Sequence, residues 1–252
     1  LVFGPQGAGK STLIYKSSLN FPYSDPDRSL ASRGIGPTDN CDLWIANDAT
    51  FIDVAGRYSL EESDKETWSG FLDQIKRLRR DKPLDGILLT IDIASLIRAG
   101  NNERHDLARK LRARLDEMTQ RLGMLIPVYL VFSKCDQLAG FSDFFRDLAT
   151  EEQGQVWGCT FKKEQYQNLQ SHQEFQKELD LLFEVLVARR TWRLTSRAVD
   201  ERDKVYSFPL QIGLARHLLV DFVTELFQAN NFRERPLFRG FYFSSSSLRT
   251  AL

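Results

Sequence analysis

Short apolar runs alternate with longer amphipathic stretches along this chain. The apolar runs suit strands buried in a parallel sheet, whereas apolar residues spaced three and four apart predict helices. This alternation predicts an α/β fold in which helices cover both faces of a mostly parallel sheet. The predicted strands are 1–3, 86–92, 127–133 and 240–244, and the predicted helices are 11–19, 63–80, 103–122 and 209–228.

Two segments depart from this alternation. "DLWIANDATFIDVAG" predicts two strands joined by a turn at Asn47 and Asp48, a hairpin whose first strand runs antiparallel at the sheet edge. Residues 150–206 are rich in Gln, Glu, Lys and Arg and predict a helical insertion or subdomain. We therefore expect a core at 1–149, an insertion at 150–206, and a return to the core at 207–252 through a helix and the last strand.

The composition is that of a globular protein. Hydrophobic residues make up 42% and charged residues 27% of 252 residues, and Lys plus Arg equals Asp plus Glu at 34 each. This balance gives no support to nucleic-acid binding. No apolar run is long enough to span a membrane. Because the chain opens inside a strand-like run without methionine, we expect a piece of a longer protein, and anchoring elements could lie outside it.

The cysteines and histidines predict no metal centre. Cys41, Cys135 and Cys159 lack metal-site spacing, and we expect them to be buried, reduced thiols in a cytosolic compartment. The histidines, which form no ligand cluster, are His105, His172 and His217.

Three basic clusters could attract an anionic membrane surface. Because acidic residues accompany two of them, we interpret them as solvated helix faces. They lie at 76–82, 109–114 and 188–193.

The segment "GPQGAGKST" matches the phosphate-binding pattern G-x-x-x-x-G-K-[ST]. Glycines let the backbone curl so that successive N–H groups point at phosphate oxygens, while Lys10 reaches the outer phosphates and the Ser11 hydroxyl binds Mg²⁺. An apolar strand before the loop and a helix after it supply the required context. A glycine turn that holds nothing would leave the Lys-Ser pair unexplained. The residues predicted to bind nucleotide here are Gly4, Gly7, Ala8, Gly9, Lys10, Ser11 and Thr12.

Two further segments are predicted to complete the metal and phosphate site. Asp53 ends a strand, where its carboxylate would hold Mg²⁺ through water, and Gly56 follows at D-x-x-G spacing to offer an N–H to the terminal phosphate. Upstream, Thr38 lies in the loop "SRGIGPTDN", from which it would close on both metal and phosphate. The alternative is a flexible connector with an incidental threonine.

The segment "VFSKCD" resembles the guanine-reading element [NT]-K-x-D. The carboxylate of Asp136 can accept hydrogen bonds from two N–H groups of guanine, whereas adenine offers an acceptor where guanine offers a donor. The stem of Lys134 would lie across the base. Ser133 stands where asparagine is usual, which should weaken its brace to the phosphate loop. The alternative is a polar turn after a strand.

The ordered blocks "GPQGAGKSTL", "CDLWIANDATFIDVAGRY", "PLDGILLTIDIASLI", "LRARLDEM", "PVYLVFSKCDQLAGFSDFF" and "PLFRGFYFSS" resemble the cytoplasmic domain of the IcmF/TssM family. The resemblance covers nearly the whole chain. It implies a P-loop NTPase of the Ras-like GTPase fold, at the cytoplasmic face of the bacterial inner membrane, in a type VI secretion system. It also implies a DotU/TssL-type inner-membrane partner. Two departures are Val54, where threonine is common, and Ser246, where the family tends to have glycine.

The resemblance carries roles over motif by motif. Ser11, Thr38 and Asp53 form the implied metal site, while Lys134 and Asp136 read the base. Lys10 and Thr38 are also expected to act in hydrolysis of GTP or ATP.

Arg57 takes the place that glutamine occupies after D-x-x-G in small GTPases. Glutamine orients the attacking water, but arginine can only donate hydrogen bonds. Arg57 would stabilise the developing phosphate charge as a finger supplied in cis, with Glu61, Glu62 or Asp64 orienting the water. The alternative is a surface ion pair with one of those carboxylates.

The sequence thus predicts Mg²⁺-dependent binding and slow hydrolysis of a nucleoside triphosphate, with GTP favoured over ATP, as a conformational switch. A structural module that does not hydrolyse nucleotide is the main alternative. A small-molecule kinase is a third class, but it does not need a guanine-reading element and would leave "SKCD" unexplained.

Overall fold

The computed structural model describes residues 1–22, 38, 40–61, 64–146, 148, 156–162, 171–195, 198–229 and 235–246. The strands are β1 (Val2–Phe3), β2 (Cys41–Ile45), β3 (Thr50–Val54), β4 (Ile87–Asp92), β5 (Pro127–Ser133), β6 (Gly158–Thr160) and β7 (Leu237–Phe243). The helices are α1 (Lys10–Lys16), α2 (Arg57–Leu60), α3 (Lys65–Leu78), α4 (Ile93–Arg98), α5 (Asn101–Leu122), α6 (Phe141–Phe145), α7 (Ser171–Thr195) and α8 (Arg202–Phe227).

The seven strands form one mixed sheet in the order β2-β3-β1-β4-β5-β7-β6. The five inner strands run parallel to one another, and the two edge strands run antiparallel to their neighbours. The predicted α/β fold with a mostly parallel sheet is confirmed, as is the antiparallel edge strand β2. The prediction of one such strand was incomplete, because β6, inside the range expected to be helical, forms the opposite edge.

The centre of the sheet is buried on both faces. Successive side chains of a strand point to opposite faces, and the adjacent residues Leu89 and Thr90 of β4 are both fully buried. Trp68 of α3 is also fully buried and packs against Phe3 of β1 at 5.6 Å between ring centroids. None of the described helices combines the length and the apolar composition that a membrane crossing requires.

One helix is longer than predicted. The helix predicted at 209–228 would have Pro209 as its first residue, a position where the missing N–H of proline costs no helical hydrogen bond. The structure instead places it inside α8. Val205 and Phe208, which precede it, are fully buried, and this burial offsets the backbone hydrogen bond that the proline removes.

The cysteines are only partly as expected. Cys135 is buried and Cys159 is half-buried, but Cys41 is exposed on the edge strand β2. Within the described residues, no three His, Cys, Asp or Glu side chains form a group that could hold a metal.

Candidate functional site

The loop after β1 has a backbone that only glycine allows at its start. Gly4 has φ 144°, and a Cβ there would lie 2.2 Å from the carbonyl oxygen of Thr90 on β4. The loop ends at Gly9, whose φ of 81° is left-handed, and α1 begins at the next residue. The glycine spacing therefore gives a tight turn from the sheet into the helix, pressed against the neighbouring strand.

Lys10 bends back over this loop. Its side chain is 7% exposed, and its Nζ donates to the carbonyl oxygens of Gly4 at 2.9 Å and Pro5 at 3.0 Å. Burial lowers the pKa of Lys10, while the nearby carboxylate of Asp53 opposes that shift. An ammonium has three N–H donors, so one remains for an anion beside the loop.

Ser11 and Asp53 join the loop to the end of β3. The Ser11 hydroxyl donates to Asp53 Oδ2 at 2.5 Å, and Asp53 is fully buried. Burial raises the pKa of Asp53, opposed by the Ser11 hydrogen bond and by Lys10. Its Oδ1 is buried and has no hydrogen-bond partner in the described part of the chain. This orphaned oxygen beside a hydroxyl fits Mg²⁺, which prefers oxygen ligands and is often held by one carboxylate together with substrate phosphates.

The D-x-x-G segment packs directly on the loop. A Cβ on Gly56 would lie 2.3 Å from the backbone nitrogen of Gln6 and 2.4 Å from its Cα. The chain after Asp53 therefore lies in contact with the residues that precede Lys10.

Arg57, the first residue of α2, is engaged with neighbouring side chains. Its Nε lies 3.0 Å from Asp64 Oδ2, an ion pair in which the N–H does not point at the oxygen. Its Nη2 donates to Asn40 Oδ1 at 2.6 Å and to the Tyr58 hydroxyl at 3.3 Å. Asp64 is thus one carboxylate that forms the predicted ion pair among the described residues. This contact does not test the role of Arg57 in hydrolysis.

Other predicted residues of this segment stay predictions. Glu61 is exposed, and its carbonyl oxygen accepts a hydrogen bond from Arg114 at 2.7 Å. Thr38 is half-buried, but residues on both sides of it, like Glu62, lie outside the described residues.

The end of β5 is hydrogen-bonded to the loop between β1 and α1. Ser133 Oγ lies 2.7 Å from the carbonyl oxygen of Ala8 and 3.1 Å from that of Ile91. Its one hydroxyl proton serves one acceptor at a time, and the loop carbonyl is the closer. Serine therefore still forms the brace between β5 and the loop, although it stands where asparagine is usual.

Lys134 follows with φ 58°, the one positive φ among the described residues other than glycine. Its Nζ donates to Asp92 Oδ2 at 2.9 Å. Asp92 ends β4 and caps α4 by accepting from the Ser95 backbone N–H at 3.0 Å. Burial would raise the pKa of Asp92, but hydrogen bonds from Ser95 and Lys134 hold it below the ordinary value.

Asp136 is held by the last described turn of the chain. Its Oδ1 accepts from Ser245 Oγ at 2.8 Å and from the Ser246 backbone N–H at 3.1 Å, and neither bond uses Oδ2. The φ of Ser246 is not positive, so serine can occupy this position, where the family tends to have glycine, without backbone strain. A cavity beside the loop is lined by Gly9, Thr12, Leu13, Lys16, Ser133, Lys134, Asp136, Gln137, Ser244, Ser245 and Ser246.

Motif reasoning missed two residues of this site. Asp92 could have been predicted from the sequence, because a carboxylate at the end of a buried parallel strand lies at the same sheet edge as the other strand ends. Ser245 gave no comparable signal, since its contact with Asp136 joins residues 109 positions apart.

Comparison with known proteins identifies the family. Residues 61–250 match the family model described as the IcmF-related N-terminal domain. The chain is 39% identical over 253 residues to the type VI secretion system component TssM1 of Pseudomonas aeruginosa. The chain belongs to the IcmF/TssM family. The family predicted from the sequence is thus confirmed. The alignment covers 98% of this IcmF/TssM chain and 23% of that relative, so the chain spans about a quarter of the relative's length.

Proposed function

We propose that this chain binds a nucleoside triphosphate with Mg²⁺, GTP in preference to ATP, and hydrolyses it slowly as a conformational switch. The observation that carries the proposal is the buried cluster of Lys10, Ser11 and Asp53. Asp53 is a fully buried carboxylate with one oxygen that has no hydrogen-bond partner in the described residues. Burying such a charge costs folding free energy unless a cation or a donor interacts with that oxygen. A bound magnesium triphosphate would supply that cation.

Each group has a role that its geometry supports. The loop amides and the remaining N–H of Lys10 would hold the outer phosphates. Ser11 and Asp53 would hold Mg²⁺, which neutralises charge on the phosphates when bound. Gly56, packed on Gln6, would bring its segment to the terminal phosphate. The strand order, with one antiparallel strand beside β3, also supports a Ras-like GTPase fold within the P-loop class.

The adjoining cavity supports a purine base. Asp136 has its Oδ1 fixed by Ser245 and Ser246, which leaves Oδ2 for the N–H groups of guanine. The Lys134 stem, anchored by Asp92, would lie across the ring. This arrangement favours GTP over ATP, because adenine would place an acceptor against the carboxylate.

The cellular setting comes from the relative, which is a type VI secretion system component. We propose that this domain works in the inner-membrane complex of such a system, at its cytoplasmic face. Anchoring segments outside this sequence and a DotU/TssL-type partner belong to the same proposal. A nucleotide-driven movement of the Gly56 segment would be the signal passed to the rest of the protein.

Titration with fluorescent GTP and ATP analogues plus Mg²⁺ tests this function. We expect tighter binding of GTP, and Asp136→Ala should remove most of that preference while leaving the weaker ATP affinity almost unchanged. Equal loss for both nucleotides would contradict the assignment of Asp136 to the base. No binding of either nucleotide to the wild-type chain would contradict the whole proposal.

A domain that binds nucleotide without hydrolysing it is the second candidate. The contacts of Arg57 with Asp64 and Asn40 favour it, since they engage the side chain that would otherwise face the phosphate. Single-turnover measurement of phosphate release separates the two. A slow rate, well below roughly 1 per second, supports the switch, whereas no release above the uncatalysed rate supports the binding module.

A further inference from the structure

A second concave site lies between α2, the start of α3 and one face of α5. This groove has a volume of about 720 Å³, within the range of small-molecule sites. None of the residues that line it also lines the cavity beside the phosphate loop. The groove is therefore a site of its own.

The groove is strongly cationic. Four basic side chains line it, Lys65, Lys110, Arg114 and Arg121, against the single carboxylate of Glu117. A concave surface lined by one sign of charge focuses the potential and attracts ions of the opposite sign. The groove therefore favours an anionic ligand.

The two arginines already have acceptors. Arg114 donates to Glu117 Oε2 at 2.8 Å and to the carbonyl oxygen of Glu61 at 2.7 Å. Arg121 donates to Asp73 Oδ2 at 3.1 Å, and its Nε lies 3.8 Å from Glu117 Oε1. The one carboxylate in the groove is thus shared between the arginines.

The two lysines, unlike the arginines, have no acceptor among the described residues. Lys65 and Lys110 are exposed and form no ion pair within the described residues. Ser59, which also lines the groove, is fully buried, and its Oγ has no hydrogen-bond partner in the described residues. The side chains of the groove that have no partner in the described residues are therefore two ammonium groups, one hydroxyl and the amide of Gln120, and all of them can donate to a ligand.

We propose that this groove binds a small phosphorylated molecule. A guanidinium fork suits a planar carboxylate, but both guanidinium groups here are engaged with protein acceptors. Ammonium groups act as point charges that bind phosphate oxygens from any direction. The free donors therefore match a phosphate-bearing ligand better than a carboxylate-bearing one. Arg114 and Arg121 supply a fixed positive background.

Calorimetric titration with sodium pyrophosphate tests the proposal. EDTA keeps Mg²⁺ from completing the nucleotide site, and Lys10→Met, which retains an apolar stem, removes the loop ammonium. We expect the Lys10→Met chain to bind pyrophosphate. Adding Lys65→Gln or Lys110→Gln should weaken that binding about tenfold, because each removes a charge-assisted hydrogen bond.

The matched control is Arg109→Gln in the same background. Arg109 lies on α5 beside Lys110, but it pairs with Asp106 and does not line the groove. Its loss removes one charge and should leave pyrophosphate binding unchanged. Citrate in place of pyrophosphate should bind more weakly. The three side chains substituted in the Lys10→Met background are exposed, so thermal unfolding should equal that of Lys10→Met and will verify the fold.

Several results would overturn the proposal. Pyrophosphate binding that is abolished by Lys10→Met belongs to the phosphate loop. Binding that Lys65→Gln and Lys110→Gln leave intact does not use the groove. Equal weakening by Arg109→Gln would show attraction by general charge alone, and citrate binding as tightly as pyrophosphate would refute the preference for phosphate.

Discussion

Replacing Gly56 with alanine tests whether the D-x-x-G segment packs against the loop between β1 and α1. The new Cβ would lie 2.3 Å from Gln6 N, whereas ordinary contact begins near 3.4 Å, so the two segments must separate by about 1 Å. Gly56 has φ −62° and ψ −26°, which alanine adopts without strain. The cost therefore comes from steric overlap and not from the backbone conformation.

Overpacking of this kind costs about 1 to 3 kcal/mol of unfolding free energy. For a chain of this size, that corresponds to a fall in melting temperature of roughly 2 to 12 °C. Gly70→Ala is the matched control, because Gly70 lies in α3 and a Cβ added there would meet nothing within 4 Å. It should stabilise the chain by about 0.5 to 1 kcal/mol through helix propensity.

Thermal unfolding of the three proteins, followed by nucleotide titration, measures both effects. Because the loop must move, Gly56→Ala should also bind magnesium nucleotide more weakly than Gly70→Ala does. An unfolding temperature and a nucleotide affinity equal to those of the wild type would refute the contact between Gly56 and the loop.

Three further predictions concern the same site. Ser11→Ala should cost about 1 to 3 kcal/mol of unfolding free energy, because it leaves a buried carboxylate without its hydroxyl donor, and magnesium should no longer strengthen nucleotide binding in a titration. Arg57→Ala should slow single-turnover phosphate release more than it weakens nucleotide affinity; an unchanged rate would leave only the ion pair with Asp64. Burial raises the pKa of Asp53 above its ordinary value of 3.8, so the folded chain binds this proton more tightly than the unfolded chain. The penalty for the buried charge is therefore present above the folded pKa and is relieved as the pH falls through it. Urea unfolding of Asp53→Asn should lack that part of the pH dependence, and an identical profile would contradict the assignment.

Local motifs predicted the tight glycine turn and the cluster of Lys10 and Ser11 because these residues are adjacent in sequence. The glycines, the lysine and the hydroxyl all lie in the short segment from Gly4 to Ser11, so their spacing in the sequence was enough to predict that they lie together. Asp53 was also predictable, since it ends an apolar strand that had to lie in the same sheet.

Features that depend on distant partners were not predicted. The three-residue strand β6 exists because Gly158 and Gly240 let two backbones approach closely; a Cβ added at either position would lie 2.2 Å or 2.3 Å from a carbonyl oxygen of the facing strand. The pairing of Lys134 with Asp92 likewise joins residues from the ends of two neighbouring strands. Such contacts follow from strand order, which no local pattern specifies.

The basic clusters show the same limit. The prediction of solvated helix faces was wrong for Arg112, Arg114 and Arg193, which are buried. Arg112 donates to the carbonyl oxygens of Leu226 and Gln228, and Arg193 donates to that of Phe144. Charge patterning marked these residues as basic, but only the packing of α5 and α7 on other elements shows which arginines bind buried carbonyls.

The central claim is that the loop between Gly4 and Ser11 receives a triphosphate together with Mg²⁺. Calorimetry with a slowly hydrolysed GTP analogue and Mg²⁺ tests it most directly, on the wild-type chain and on Lys10→Met. We predict heat that saturates at one nucleotide per wild-type chain, weakens when EDTA removes Mg²⁺, and is lost in Lys10→Met. Binding of equal strength in Lys10→Met, or no heat from the wild type with either the GTP or the ATP analogue, would contradict the account.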